Sequence, residues 1–195
     1  MFASFIKAKA GSKAGSKGGN LLRDLKRDTR GVTAIEFAMV IVPFLATMFA
    51  IMEVSLVYFA TFTLENATEQ AARLIRTGQA QGQGAAYTAD KFKEEVCNQT
   101  MSFMACNGNL RVDVRSFAAF GGVNGPAPLD ANGQLKDNFE SFSMGAGGDV
   151  VLVSVYYKWN LVASFPRFGL GVGNMADGSR LLKASVAFRN EPFDN

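Results

Sequence analysis

The spacing of apolar positions changes along the chain, and each spacing predicts an element. Residues 37–63, FAMVIVPFLATMFAIMEVSLVYFATFT, are apolar almost throughout, interrupted by Pro43 and by one charge, Glu53. At about 1.5 Å per residue this run reaches about 40 Å, against about 30 Å of bilayer hydrocarbon, so it predicts a tilted membrane-spanning helix. Over residues 64–77 the run gives way to a stripe, Leu64, Ala67, Ala71, Leu74 and Ile75, with Glu65, Glu69, Arg73 and Arg76 mostly off it. That is the pattern of a helix with one buried face. No stop signal separates the two segments. One long helix is therefore predicted, in the membrane at first and then against a soluble domain, ending near Gly78.

Beyond the linker GQAQGQGAA, residues 88–99 predict a short helix with Phe92, Val96 and Cys97 on its apolar face. Residues 110–117, 149–160 and 183–189 alternate with period two and predict strands of an antiparallel sheet. The middle one, DVVLVSVYYKWN, is apolar on both faces. Tyr156, Tyr157 and Trp159 are therefore read as core of a central strand in preference to a binding platform. Residues 121–148, rich in Gly, Pro, Asn and Asp, predict a long surface loop able to contact partners. Residues 161–182 carry Pro166 and several glycines, with room for a short helix at most. The fold class is α+β: a long N-terminal transmembrane helix continuing into a domain with a short helix and a small antiparallel sheet.

Charge orients this arrangement. The first 31 residues hold eight Lys/Arg and two Asp, while the remainder holds twelve basic and fifteen acidic residues. The positive-inside rule places the N-terminus in the cytoplasm and the large C-terminal part outside. Residues 1–20, MFASFIKAKAGSKAGSKGGN, read as a flexible arm, and residues 21–30, LLRDLKRDTR, as a short helix near the membrane surface. Basic residues in a Gly/Ser/Ala-rich arm beside an apolar run serve topology, so no nucleic-acid partner is expected.

Candidate chemistry is sparse. The chain has no histidine, which excludes His-based triads and zinc sites. Cys97 and Cys106 are too few for a thiolate zinc site and are not spaced as a redox pair. A structural disulfide is the simpler reading, and two buried thiols the alternative. No metal, cofactor or catalytic residue is expected, and the chain is read as a non-enzyme. Pro43 removes the helix hydrogen bond to the Met39 carbonyl, which predicts a bend. Glu53 lies about 25 Å along the helix from Glu36, near the opposite border. It has two readings there, snorkelling to the interface or pairing with a partner helix.

The segment RGVTAIEFAMVIVPF, residues 30–44, sets Gly31 between a basic leader and an apolar helix, with Glu36 five residues beyond. This resembles the processing site of type IV prepilins, and more closely that of TadE-family proteins of the tight-adherence (Tad/Flp) pilus system. The ending RNEPF, residues 189–193, is also similar to that family. The resemblance implies cleavage between Gly31 and Val32 by a membrane-embedded prepilin peptidase, leaving Glu36 fifth in the mature chain and able to meet a neighbouring subunit's new amine. Glycine suits such a junction because it lets the backbone extend into a protease cleft. An acid near a new helix N-terminus suits the macrodipole.

The domains so implied are a basic cytoplasmic leader (1–31), a transmembrane helix (32–63), its extramembrane continuation (64–78) and a periplasmic α+β domain (79–195). The implied role is a minor pilin or pseudopilin needed for assembly of an adhesive pilus. Its implied partners are the prepilin peptidase, the Flp major pilin, TadF-like and TadG-like pseudopilins, an inner-membrane assembly platform and the lipid bilayer. Two other readings stand: a single-span binding or receptor protein with an uncut leader, and a secreted protein with an unusually long signal.

Overall fold

The computed structural model describes residues 32–100, 104–106, 108–161 and 172–193. The expectations for residues 1–31, Gly31 included, and for 162–171 lie outside the described residues. Element α1 is Val32–Arg76, followed by a 3₁₀ segment Gln81–Ala86, α2 Ala89–Gln99, β1 Leu110–Phe117, a 3₁₀ turn Phe120–Gly122, β2 Val150–Trp159 and β3 Arg180–Arg189. The fold is α+β with one candidate membrane span. Among the described residues, one helix is long and apolar enough to cross a membrane.

The chain divides into two compact units, residues 1–46 and 47–195, and α1 contributes to both. In the first unit, α1 continues through Pro43, and most of its bulky apolar side chains, from Ile35 to Leu45, are exposed. Polar residues further along α1 satisfy themselves locally. Ser55, Thr61 and Thr63 donate their hydroxyls to the carbonyls of Ile51, Val57 and Phe59, four residues back, at 2.8, 2.8 and 2.9 Å. Such back-bonding lets a hydroxyl sit in an apolar helix without an orphan donor.

In the second unit the three strands form an antiparallel sheet of order β1-β2-β3. One face carries Val112, Val114, Val153, Val155, Tyr157, Leu182 and Ala184 into a shared core with Ala60, Leu64, Ala67, Ala71 and Ile75 of α1 and Phe92 and Val96 of α2. Fully burying a Leu- or Val-sized side chain contributes about 1.5–3 kcal/mol, so this layer dominates the unit's stability. The stripe expected at 64–75 is the buried one, extended backward to Ala60 and Val57. Thr88 caps α2, its Oγ1 accepting the Lys91 N–H at 3.4 Å.

The sheet's other face departs from expectation. The connection over residues 123–149 is not a free surface loop: Phe139 stands edge-on to Tyr156 at 5.2 Å and forms a second small core with Leu181, joined by Leu129, Leu135 and Met175. Tyr156 thus packs outward, while Tyr157 and Trp159 face the α1 core. The same connection closes the β1 edge. The Val114 N–H donates to the Ser141 carbonyl at 2.7 Å, and the Ser143 N–H to the Val114 carbonyl at 2.9 Å. Strand β3 starts three residues earlier than its alternation predicts, because Leu181 serves the outer core and Leu182 the inner one.

Candidate functional site

The predicted site residues fall into groups that the fold keeps separate. Glu36 is exposed on α1, among exposed Ile35, Phe37, Met39 and Val40. The first turn of α1 holds no acid. Glu36 lies just past that turn. Pro43 lies inside the same exposed helix. Ile35 is 63 % exposed and Met39 73 %, so this surface is available to lipid or to other helices.

Glu53 belongs to the second unit and is buried, at 6 % exposure. A side chain so enclosed does not snorkel to an interface, and that reading is set aside.

Cys97 and Cys106 are joined as a disulfide with Cα atoms 6.1 Å apart, tying the end of α2 to the approach to β1. An oxidising compartment is where such a bond persists.

The ending 189–193 acts as a clamp. The Glu191 N–H donates to the Arg76 carbonyl at the end of α1, at 2.9 Å, and the Arg76 and Glu191 side chains lie 3.6 Å apart. Buried Asn190 donates from Nδ2 to the carbonyls of Met144 and Ala146, each at 3.0 Å, and its N–H donates to the Asp149 carbonyl at 2.8 Å. Phe193 covers Gly78, whose φ of 78° favours glycine and where a Cβ would lie 2.7 Å from the Phe193 ring. RNEPF therefore fastens the helix end to the turn before β2.

Sequence reasoning missed an acid–base cluster at the β1 edge. Asp113 is fully buried, and both its oxygens take the Arg115 Nε–H at 3.0 Å while Oδ1 accepts the Ser141 N–H at 2.9 Å. Glu140 accepts the Val112 N–H at 3.0 Å and pairs with Arg111 at 3.1 Å and Lys93 at 3.4 Å. The available signal was Arg111, Asp113 and Arg115 at alternate positions, hence on one face. Each acid is consumed by fixed partners, an arrangement that holds a loop on a sheet edge and leaves no base poised for catalysis.

Elsewhere, hydrogen bonds from Lys158, and then from Ser179, hold the Asp177 carboxyl well below the usual range. Burial, then Glu95, pushes Tyr87 up to about 12. A cleft of about 550 Å³ lies beside Arg111, Lys158 and Asp177, and its charges are already paired. Among the described residues, no group of three or more His, Cys, Asp or Glu is placed to hold a metal ion.

Compared with known proteins, residues 31–73 match the family model described as TadE-like protein. No curated protein and no solved structure matches the chain.

Proposed function

We propose that this chain, with its TadE-like segment at 31–73, is a minor pilin or pseudopilin of a Tad/Flp-type pilus, processed by a prepilin peptidase between Gly31 and Val32. The observation that carries the reading is that the matched segment includes the stretch of α1 from Ile35 to Phe44, where Ile35, Phe37, Met39, Val40, Val42 and Phe44 all stand exposed. Such a helix needs lipid before assembly and neighbouring helices afterwards. The leader 1–31 is cytoplasmic, 32–63 spans the inner membrane, 64–78 continues the helix, and 79–195 forms the periplasmic domain. Glu36 then meets the new amine of an adjacent subunit, an ion pair that serves register more than stability. Partners follow from that role: the peptidase, the Flp major pilin, TadF-like and TadG-like pseudopilins and the assembly platform. The task is structural, not enzymatic.

The test is the mass of the membrane-bound protein's N-terminal peptide in cells with and without the peptidase. A chain starting at Val32 only where the peptidase is present supports the proposal. An intact leader beside an active peptidase sinks it and leaves a single-span binding protein. Piliation after deletion of the gene then tests the assembly role.

A further inference from the structure

The two edges of the sheet are treated differently. Edge β1 is closed by residues 139–143, as described above. At the other edge, the Leu181 N–H donates to Asn174 Oδ1 at 2.7 Å and the Leu181 carbonyl accepts from Asn174 Nδ2 at 3.4 Å, which fixes the direction in which β3 presents its backbone. Alternation then turns the N–H and C=O groups of Lys183, Ser185 and Ala187 away from β2. Among the described residues these groups have no backbone partner, and all three residues are exposed.

Beside this edge runs a groove of about 340 Å³, lined by Glu69, Ala72, Arg73 and Arg76 of α1 and by Val186 and Phe188 of β3. Val186 and Phe188 are only half-buried, at the margin of the main core. Arg76 is engaged with Glu191, and Lys183 lies over the Tyr156 ring. Around the edge stand Arg73, Arg76, Lys183 and Arg189 against Glu69 and Glu191, a cationic excess.

We propose that β3 is a docking edge for an extended, acid-bearing segment of another polypeptide, added as a fourth strand. One side of that strand places apolar side chains against Val186 and Phe188, and the carboxylates of its other side lie along Lys183 and Arg189. Its backbone satisfies the open groups of β3 at the ordinary strand spacing of about 4.8 Å. A second copy of this chain is a poor occupant. Antiparallel self-pairing over the whole open edge sets Lys183 opposite Arg189 twice, and like charges directly opposite destabilise a ladder. The inference does not depend on the pilus assignment.

The test uses the full chain in nanodiscs and a fluorescein-labelled peptide alternating valine and aspartate, read by polarisation at low and high salt. Saturable, salt-sensitive binding is expected, with slowed amide exchange over 183–189. Ala187→Pro removes one outward N–H without touching the β2 ladder, and proline is tolerated on edge strands. It weakens binding about tenfold, the size of one or two lost hydrogen bonds. The double variant Lys183→Glu/Arg189→Glu keeps the backbone intact, so it serves even where proline unfolds the edge. It abolishes binding of the acidic peptide and favours a valine–lysine peptide. Absence of saturable binding, equal binding by wild type and the charge-reversed variant, or self-association through 183–189 in place of peptide binding overturns the proposal.

Discussion

Residues 35–44 and 60–75 belong to one helix, both are rich in apolar residues, and their fates are opposite. In the first stretch Ile35, Phe37, Met39, Val40, Val42 and Phe44 are all exposed. In the second, Ala60, Leu64, Ala67, Ala71 and Ile75 are buried to within 2 %. The difference lies in size and spacing more than in hydrophobicity. Bulky side chains all round a helix have no single face to hide, so the surface they make is met by lipid or other helices. Alanines at stripe spacing bring the backbone close to a sheet, and the few large residues among them fill what remains.

The largest effect that sharpens this contrast is expected at Leu64. Leu64→Ala leaves a cavity between α1 and the sheet and costs about 2–5 kcal/mol, whereas Phe37→Ala, on the exposed stretch, changes stability by less than about 0.5 kcal/mol. Chemical denaturation of both variants in detergent, followed by tryptophan fluorescence from Trp159, gives the comparison directly. Similar losses for the two would mean that residue 37 has a protein environment after all.

Next in size is the disulfide, which belongs wholly to the buried side of the contrast. Cys97 and Cys106 are nine residues apart in sequence, a loop whose closure stabilises by about 2.5–3 kcal/mol in the chain-entropy model. Replacing both by serine lowers the unfolding free energy by about that amount and leaves membrane insertion unchanged. A melt of the second unit that does not shift between oxidised and reduced protein would contradict it.

A smaller loss is expected where the helix is fastened. Gly78→Ala puts a Cβ against Phe193 and imposes a left-handed backbone on alanine, for about 1–3 kcal/mol. Proteolysis near 189–193 should accelerate in this variant while cleavage elsewhere does not, since local opening governs the cut. Uniform acceleration would mean that the clamp carries the whole unit.

How far these features could be read from the chain depended on whether their cause was local. The stripe over 64–75, the short helix near 88–99 and the two-faced β2 were legible because the period of apolar positions acts within a few residues. The packing of 123–149 was not, because Phe139, Glu140 and Ser141 find their roles only once β1 stands beside them, and nothing in their spacing foretells that. The early start of β3 was hidden by adjacent Leu181 and Leu182, which serve opposite faces of the sheet and so break the visible alternation. Glu53 kept two readings because its depth along a helix could be computed but not what surrounds it. Of the candidate site, the disulfide pairing needed only two cysteines, whereas the clamp at 189–193 depends on contacts with Arg76, Met144 and Gly78 that no local pattern foretells.

The smallest effect probes the buried side of the contrast at a buried hydroxyl, that of Tyr87. Tyr87 is 3 % exposed and its ring lies 6.5 Å from that of Phe142, yet its hydroxyl has no hydrogen-bond partner among the described residues. Burial, then Glu95, raises its pKa from 10.0 to about 12. A raised value has a definite consequence for stability: the contribution is complete below the unfolded value and is lost as pH climbs from there through the folded one, because over that window only the unfolded chain releases the proton. Tyr87→Phe removes both the unpartnered hydroxyl and this window. Near neutral pH the variant should match the wild type or exceed it by up to about 1 kcal/mol, since no native hydrogen bond is given up and a desolvation cost disappears. Between about pH 10 and pH 12 its unfolding midpoint should fall less steeply than that of the wild type. Tyr156 and Tyr157, also raised by burial, keep part of the slope in both proteins, so the difference between the two titrations is the quantity to read. A variant less stable at neutral pH would show that the hydroxyl is satisfied in the folded protein.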